Sequence, residues 1–246
     1  MSEERGAAST LKGRLADVYV PALVSNALPA LSKRLGNRAT IDDPLFGRAS
    51  TLSSIDPLLE RFAAHFKGAT YRHVASATGV DRDVSEGVLT RGGADVPIAV
   101  VAERRRLREI ELRLYYTSGQ NERRARAPML EANPDAAVPQ VVLHVLDALR
   151  KGAVERVLAA FEASARFVDP DGKAYAKKDG SMAAFVSDVG SRMQIAPAGA
   201  ADDGRCCCVE AVISRTRPTG DPEPAALTFE RGDSGLLREL RFYYEP

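Results

Sequence analysis

Residues 111–116 read Glu-Leu-Arg-Leu-Tyr-Tyr, and residues 239–244 read Glu-Leu-Arg-Phe-Tyr-Tyr. Other segments recur in the same order at nearly the same distance. Asp43-Pro44 answers to Asp169-Pro170, Glu86–Arg91 (EGVLTR) to Glu210–Arg215 (EAVISR), and Pro97–Arg104 to Pro224–Arg231. The offsets stay between 124 (210 − 86) and 128 (239 − 111), as expected of a duplicated unit that keeps its core positions while its loops drift. The chain is therefore expected to fold as two tandem homologous domains, at 8–120 and 138–246. They are joined by a linker at 121–137 marked by Pro128, Asn133-Pro134 and a charge cluster.

Each repeat places helices first and strands last. Residues 11–35 carry apolar positions at helical spacing, with Leu15, Val18, Tyr19, Ala22 and Leu23 on one stripe. A second helix follows "ASTLSS", where Ser53 or Ser54 can cap and Pro57 suits the first turn. Strand-like runs follow at 70–77, 84–91, 96–104 and 108–116. The pattern predicts an α+β fold with helices packed on one face of an antiparallel sheet. In the last strand Ile110, Leu112, Leu114 and Tyr116 face the helices, as do Leu240, Phe242 and Tyr244 in the second repeat. The opposite set, Glu111, Arg113 and Tyr115, with Glu86 and Arg91 next door, predicts an ion-paired outer face on which the two domains meet.

Composition excludes several partner classes. With 34 basic and 33 acidic side chains and a net charge of +1, nothing draws the chain toward nucleic acid or anionic lipid. The basic runs at 104–109 and 123–126 read as turn and linker charges. No stretch approaches the roughly 20 apolar residues of a membrane helix, and "MSEERGAAST" lacks the apolar core of a secretory leader. A cytoplasmic protein is expected. Cys206, Cys207 and Cys208 are consecutive, so strand geometry sends them to opposite faces, and neither a metal site nor a disulfide framework is expected. The histidines, His65, His73 and His144, have no metal-site spacing. His73 alternates with Tyr71 and Ala75 and is a candidate pocket residue, although a satisfied half-buried histidine is the plainer reading. No phosphate-binding loop or dinucleotide fingerprint is present, and no cofactor is expected.

The helix, "ATIDDPLFG", the helix opening near Ser53 and strands ending in "LREIELRLYY" together resemble the nuclear transport factor 2-like superfamily, which includes ketosteroid isomerase and SnoaL-like cyclases. The resemblance spans nearly all of each repeat. It implies tandem cystatin-like cones, each a curved antiparallel sheet around helices with an apolar pocket, paired as an internal pseudo-dimer that need not associate further. It also implies a base at Asp43, with Asp169 as its copy, and a hydrogen-bond donor at Tyr19, whose counterpart is Val145. The isomerase's second donor falls on Val100 and Leu227, both apolar, which argues against steroid isomerisation as such. The other expected pocket residues are Leu112, Leu114, Tyr116 and Tyr244. Two functions follow: an isomerase- or cyclase-type enzyme acting on a small hydrophobic carbonyl compound in the first repeat, or a non-catalytic small-ligand-binding or scaffold protein. On the second reading Asp43 and Asp169 are turn residues bonded to nearby backbone N–H groups.

Overall fold

The computed structural model describes residues 11–105, 109–117, 130–215 and 222–244. The run at 123–126 and much of the expected linker lie outside them, as does part of the run at 104–109. The first half contains helices α1 (Leu15–Val24), α2 (Leu28–Leu35) and α3 (Leu52–His65). Its strands are β1 (Ala39–Asp43), β2 (Gly47–Ala49), β3 (Thr70–Thr78), β4 (Arg82–Arg91), β5 (Ala94–Arg104) and β6 (Ile110–Tyr116). The second half repeats the series with α4 (Gln140–Arg150), α5 (Val154–Ala159), α6 (Ser181–Val189), β7 (Phe161–Val168), β8 (Ala174–Ala176), β9 (Met193–Asp202), β10 (Cys206–Arg215), β11 (Glu223–Arg231) and β12 (Leu237–Tyr243).

Each half forms one six-stranded sheet, ordered β2-β1-β6-β5-β4-β3 in the first and β8-β7-β12-β11-β10-β9 in the second. The topologies are identical once each label is advanced by six. β3 to β6 and β9 to β12 form antiparallel meanders, as the strand runs predict. The sheets are nevertheless mixed, because β1 runs parallel to β6 and β7 parallel to β12. A helix intervenes between the members of each parallel pair, the kind of connection parallel strands require. β4 and β5 turn tightly through Gly92 and Gly93, both at positive φ, a backbone conformation that glycine adopts without the strain a side chain would bring.

Two helix expectations change in detail. The helical run at 11–35 is broken into α1 and α2 at Ser25–Ala27, where Asn26 adopts a left-handed φ of 58°. The helix expected to start near Ser53 begins at Leu52 behind Thr51, whose N–H donates to Ser54 Oγ at 3.1 Å. Pro57 therefore lies inside α3 rather than in its first turn. It removes one helical donor there, a cost met by packing of Ile55, Leu58, Leu59 and Phe62.

Each half has its own apolar core between helices and sheet. The first is built on Tyr19, Leu23, Leu31, Phe62, Leu112 and Leu114, and the second on Val145, Phe161, Phe167, Met182, Leu227 and Phe242. A third cluster joins the backs of the two sheets, with Val84, Val101 and Tyr115 from one half and Cys206, Cys208 and Tyr243 from the other. Cys207 points into the second core, so the three thiols alternate as strand geometry dictates. Burial pushes the Cys207 thiol up to about 12 and raises Cys206 and Cys208 as well, which leaves all three unreactive. No described helix is long and apolar enough to cross a membrane.

Candidate functional site

In the first half, the strand–turn–strand at residues 39–49 and helix α1 bring Asp43, Tyr116 and Tyr19 to one end of the core. Asp43 closes β1 and is 0% exposed. Its Oδ1 accepts the backbone N–H groups of Leu45 and Phe46, both at 2.8 Å, and the hydroxyl of Tyr116 at 2.9 Å. The two backbone bonds make an Asx-type turn through Pro44, which orients the carboxylate while β1 reverses into β2. Tyr116 ends β6 and packs edge-on against Phe62 and Phe66. Asp42 points the other way and pairs with Arg48 at 3.9 Å.

Tyr19, on α1, is also 0% exposed, and its hydroxyl has no hydrogen-bond partner. Burial raises its pKa well above the ordinary tyrosine value, and the nearby charge of Asp43 raises it further. The group is therefore a neutral phenol, a donor rather than a base. Val100, Leu112 and Leu114 belong to the same core as Tyr19, each at most 1% exposed.

The equivalent corner of the second half is built differently. Asp169 is only half-buried. Its Oδ1 accepts the N–H groups of Asp171 at 3.1 Å and Lys173 at 2.9 Å, and its Oδ2 accepts the Tyr175 hydroxyl at 3.1 Å. Tyr244 lies near Asp169, whose charge helps burial raise the phenol's pKa. Val145 and Leu227 are apolar core residues there.

His73 lies outside the packed core, exposed on β3 with its Nε2 2.8 Å from Ser76 Oγ. Sequence reasoning placed it at a pocket but passed over its neighbours. Ser76 Oγ also bonds Asp17 Oδ1 at 2.8 Å, and Asp17 Oδ2 accepts Arg14 Nε at 2.7 Å. The one available signal was the i, i+3 spacing of Arg14, the residue capping α1, and Asp17 in its first turn. No group of histidine, cysteine or carboxylate side chains suited to a metal ion occurs among the described residues.

No family model and no curated protein matches the sequence. Solved structures similar to the chain include NTF2-like and cystatin-like proteins. An NTF2-like protein of unknown function from Cytophaga hutchinsonii is 15% identical, with a TM-score of 0.37 over 43% of this chain and 88% of its own. A protein with a cystatin-like fold from Silicibacter pomeroyi is 16% identical, with a TM-score of 0.38 over 44% and 74%. The epoxide hydrolase/cyclase-like enzyme SalBIII, which has a role in pyran ring formation in the polyether salinomycin, is 16% identical, with a TM-score of 0.37 over 43% and 88%. At these identities and scores the likenesses say nothing about activity.

Proposed function

We propose that the first half binds a small apolar molecule carrying an acceptor oxygen, of the ketone kind, and that the second half does not. The reading is carried by the Tyr19 hydroxyl, a fully buried donor without a partner. Leaving such a group unsatisfied costs about 1–3 kcal/mol, and a native structure that retains one calls for a reason. A ligand oxygen would satisfy it, whereas Val145 offers the second half no such donor. Asp43 and Tyr116 form the polar wall beside the ligand. The core around Tyr19 is closed, so entry requires movement of the helical layer, and association should be slower than the usual 10⁵–10⁷ M⁻¹s⁻¹. The cytoplasm is the setting we assign, since three adjacent unpaired thiols suit a reducing compartment.

A second reading, proton transfer beside the ligand carbonyl by Asp43, is favoured by the closeness of that carboxylate to Tyr19. Against strong basicity stand the three donors on Oδ1, which favour the ionised form. One experiment separates the readings. The protein is titrated with cyclohexanone, 2-nonanone and a ring-fused ketone in D2O, following thermal stabilisation and exchange of the α-protons. Stabilisation that falls at least tenfold in apparent affinity in Tyr19→Phe, without exchange, supports binding alone. Exchange lost in Asp43→Asn supports turnover. If no ketone stabilises the protein, or Tyr19→Phe binds as well as the parent, the site is rejected.

A further inference from the structure

A second feature of the first half lies outside its core. α1 and the edge strand β3 border an open cleft of about 660 Å³, lined by Arg14, Asp17, Pro21, Val24, Tyr71 and His73 together with Ser25 and Ser76. That volume falls within the range of small-molecule sites. The polar groups form one connected line. The single Ser76 proton goes to the Asp17 carboxylate at 2.8 Å, so the 2.8 Å contact with His73 is an Nε2–H donated to Ser76 Oγ. Ser76 is therefore not primed as a nucleophile by His73, and the line instead fixes the imidazole's orientation. Asp17 also fixes Arg14 through Nε at 2.7 Å, while an Arg14 amino group donates to Thr78 Oγ1. Both side chains are held by one end, which leaves His73 Nδ1 and the remaining guanidinium N–H groups at the cleft. Pro21, Val24 and Tyr71 supply apolar lining beside them.

We propose that this cleft binds a small organic carboxylate, with its anionic head on Arg14 and His73 and its apolar body against Pro21, Val24 and Tyr71. A planar guanidinium with unused N–H groups suits a carboxylate, and His73, its Nε2–H committed to Ser76, adds a second donor at Nδ1 only when the ring carries a second proton. Asp17, accepting from Arg14 and Ser76, positions both groups. The charged and titratable groups lining the cleft are Arg14, Asp17, Tyr71 and His73.

The second half supplies an internal contrast. By the strand register, Gly87 with His73 corresponds to Ala211 with Pro197. Ser76 likewise corresponds to Ala200, and on the helix Arg14 and Asp17 correspond to Gln140 and Leu143. No polar line exists there. The chain itself approaches that edge, with Asn133 N–H donating to the Pro197 carbonyl at 2.8 Å. The polar line through Arg14, Asp17, Ser76 and His73 is thus not repeated at the corresponding positions of the second half.

The test is an amide-resolved NMR titration of the full chain with sodium benzoate, and with benzamide as the neutral isostere. Saturable shifts confined to residues 14–25 and 71–78 are expected. Affinity should fall at least tenfold in Arg14→Ala and in His73→Ala, two surface variants whose folding the same spectra report. Benzamide should bind at least tenfold more weakly than benzoate. No saturable shift at up to about 50 mM benzoate, at the near-millimolar affinity expected of so small a ligand, would overturn the proposal. So would shifts centred on the Tyr19 core, benzamide binding as well as benzoate, or variants that bind like the parent.

Discussion

Where the two sheets meet back to back, each half contributes the same trio, and the trios are satisfied across the interface. Glu210 receives Arg113 Nε at 2.6 Å and Nη2 at 2.7 Å, with the Tyr115 hydroxyl at 2.6 Å. Glu86 receives Arg241 Nε at 2.7 Å and Nη2 at 3.1 Å, with the Tyr243 hydroxyl at 2.7 Å. One position breaks the symmetry. Arg82, buried, bonds Glu103 at 2.9 Å and lies 3.6 Å from Glu210, whereas its counterpart Cys206 sits 3.9 Å from Glu86 Oε1. The strand facing each differs to match. A Cβ at Gly199 would lie 1.2 Å from an Arg82 amino nitrogen, while the counterpart of Gly199 is Ala75, which packs on the cluster containing Cys206. Arg82 is a knob and Gly199 its hole. Two first halves facing each other would set Arg82 against Ala75, so the fit favours pairing unlike halves within one chain.

The largest expected effect comes from removing one carboxylate of the pair. Glu210→Ala leaves Arg113 with Glu103 and Glu111, and Arg82 sharing that Glu103, in a buried site, and should cost about 3–5 kcal/mol, as breaking a buried pair does. Glu86→Ala should cost less, because Arg241 alone loses a cationic pairing there and keeps Glu230 at 3.0 Å and Glu239 at 2.8 Å, whereas Glu210→Ala also removes the carboxylate 3.6 Å from Arg82. Urea unfolding of both variants measures the difference, and equal losses would show that Arg82 adds nothing to the asymmetry. Acid should act on the same group. Burial raises the Glu210 pKa, but the charge and hydrogen bonds of Arg113 outweigh it, so the net folded value is lowered. Its contribution is therefore fully present above the unfolded value of about 4.3 and is lost as pH falls through the folded one. Stability of the parent measured from pH 6 to pH 3 should show an acid-side decline that is shallower in Glu210→Ala.

Next in size is the knob and hole. Gly199→Ala should destabilise by about 1–3 kcal/mol, the usual cost of overpacking, although alanine in a strand is otherwise preferred to glycine. Arg82→Cys introduces the residue of the other half, and combined with Gly199→Ala it reproduces the Cys–Ala arrangement already present at Cys206 and Ala75. The double variant should lose at least about 1 kcal/mol less than the sum of the singles, the coupling expected of residues in contact. Additive losses would mean that the close approach is relieved by rotation of the Arg82 side chain.

Much of this was legible in the sequence because duplication repeats whatever the fold requires. The "ELRLYY" repeat located both last strands and, through alternation, put Arg113 and Tyr115 on the meeting face. Glu86 was placed there correctly, but Arg91, grouped with it, instead reaches back to the His65 carbonyl. Helix ends were less legible, since Asn26 and Thr51 set boundaries through local backbone geometry that apolar periodicity does not record. Arg82 and Gly199 were invisible because their meaning lies in a contact between strands of different repeats. The line through Arg14, Asp17, His73 and Ser76 was hidden for a similar reason, since it joins a helix to an edge strand about 60 residues away, a span seen in the Asp17–Ser76 bond.

The two Asp-Pro turns give a smaller contrast. Asp43→Ala removes a fully buried acceptor of hydrogen bonds from Leu45, Phe46 and Tyr116, so about 2–3 kcal/mol should be lost. Asp169→Ala, at a half-exposed turn that water can solvate, should cost about 1 kcal/mol. Thermal unfolding of each variant against the parent provides the comparison. A larger loss at Asp169 would mean that its turn, rather than that of Asp43, anchors the strand reversal.

The smallest effect is expected at Tyr19, and its sign matters more than its size. Removing a buried hydroxyl that hydrogen-bonds normally destabilises a protein by about 1 kcal/mol, whereas removing one without a partner relieves a desolvation cost. Tyr19→Phe should therefore leave stability unchanged or raise it by up to about 1 kcal/mol in the ligand-free protein. The same change at Tyr116, whose hydroxyl holds Asp43 at 2.9 Å, should destabilise. These two tyrosines share one core, so solvent and temperature effects cancel between them in urea unfolding. A loss at Tyr19→Phe equal to that at Tyr116→Phe would reveal a bound water or another acceptor already serving the phenol. The donor would then no longer be waiting for a ligand, and the first half would lose the feature that most distinguishes it from the second.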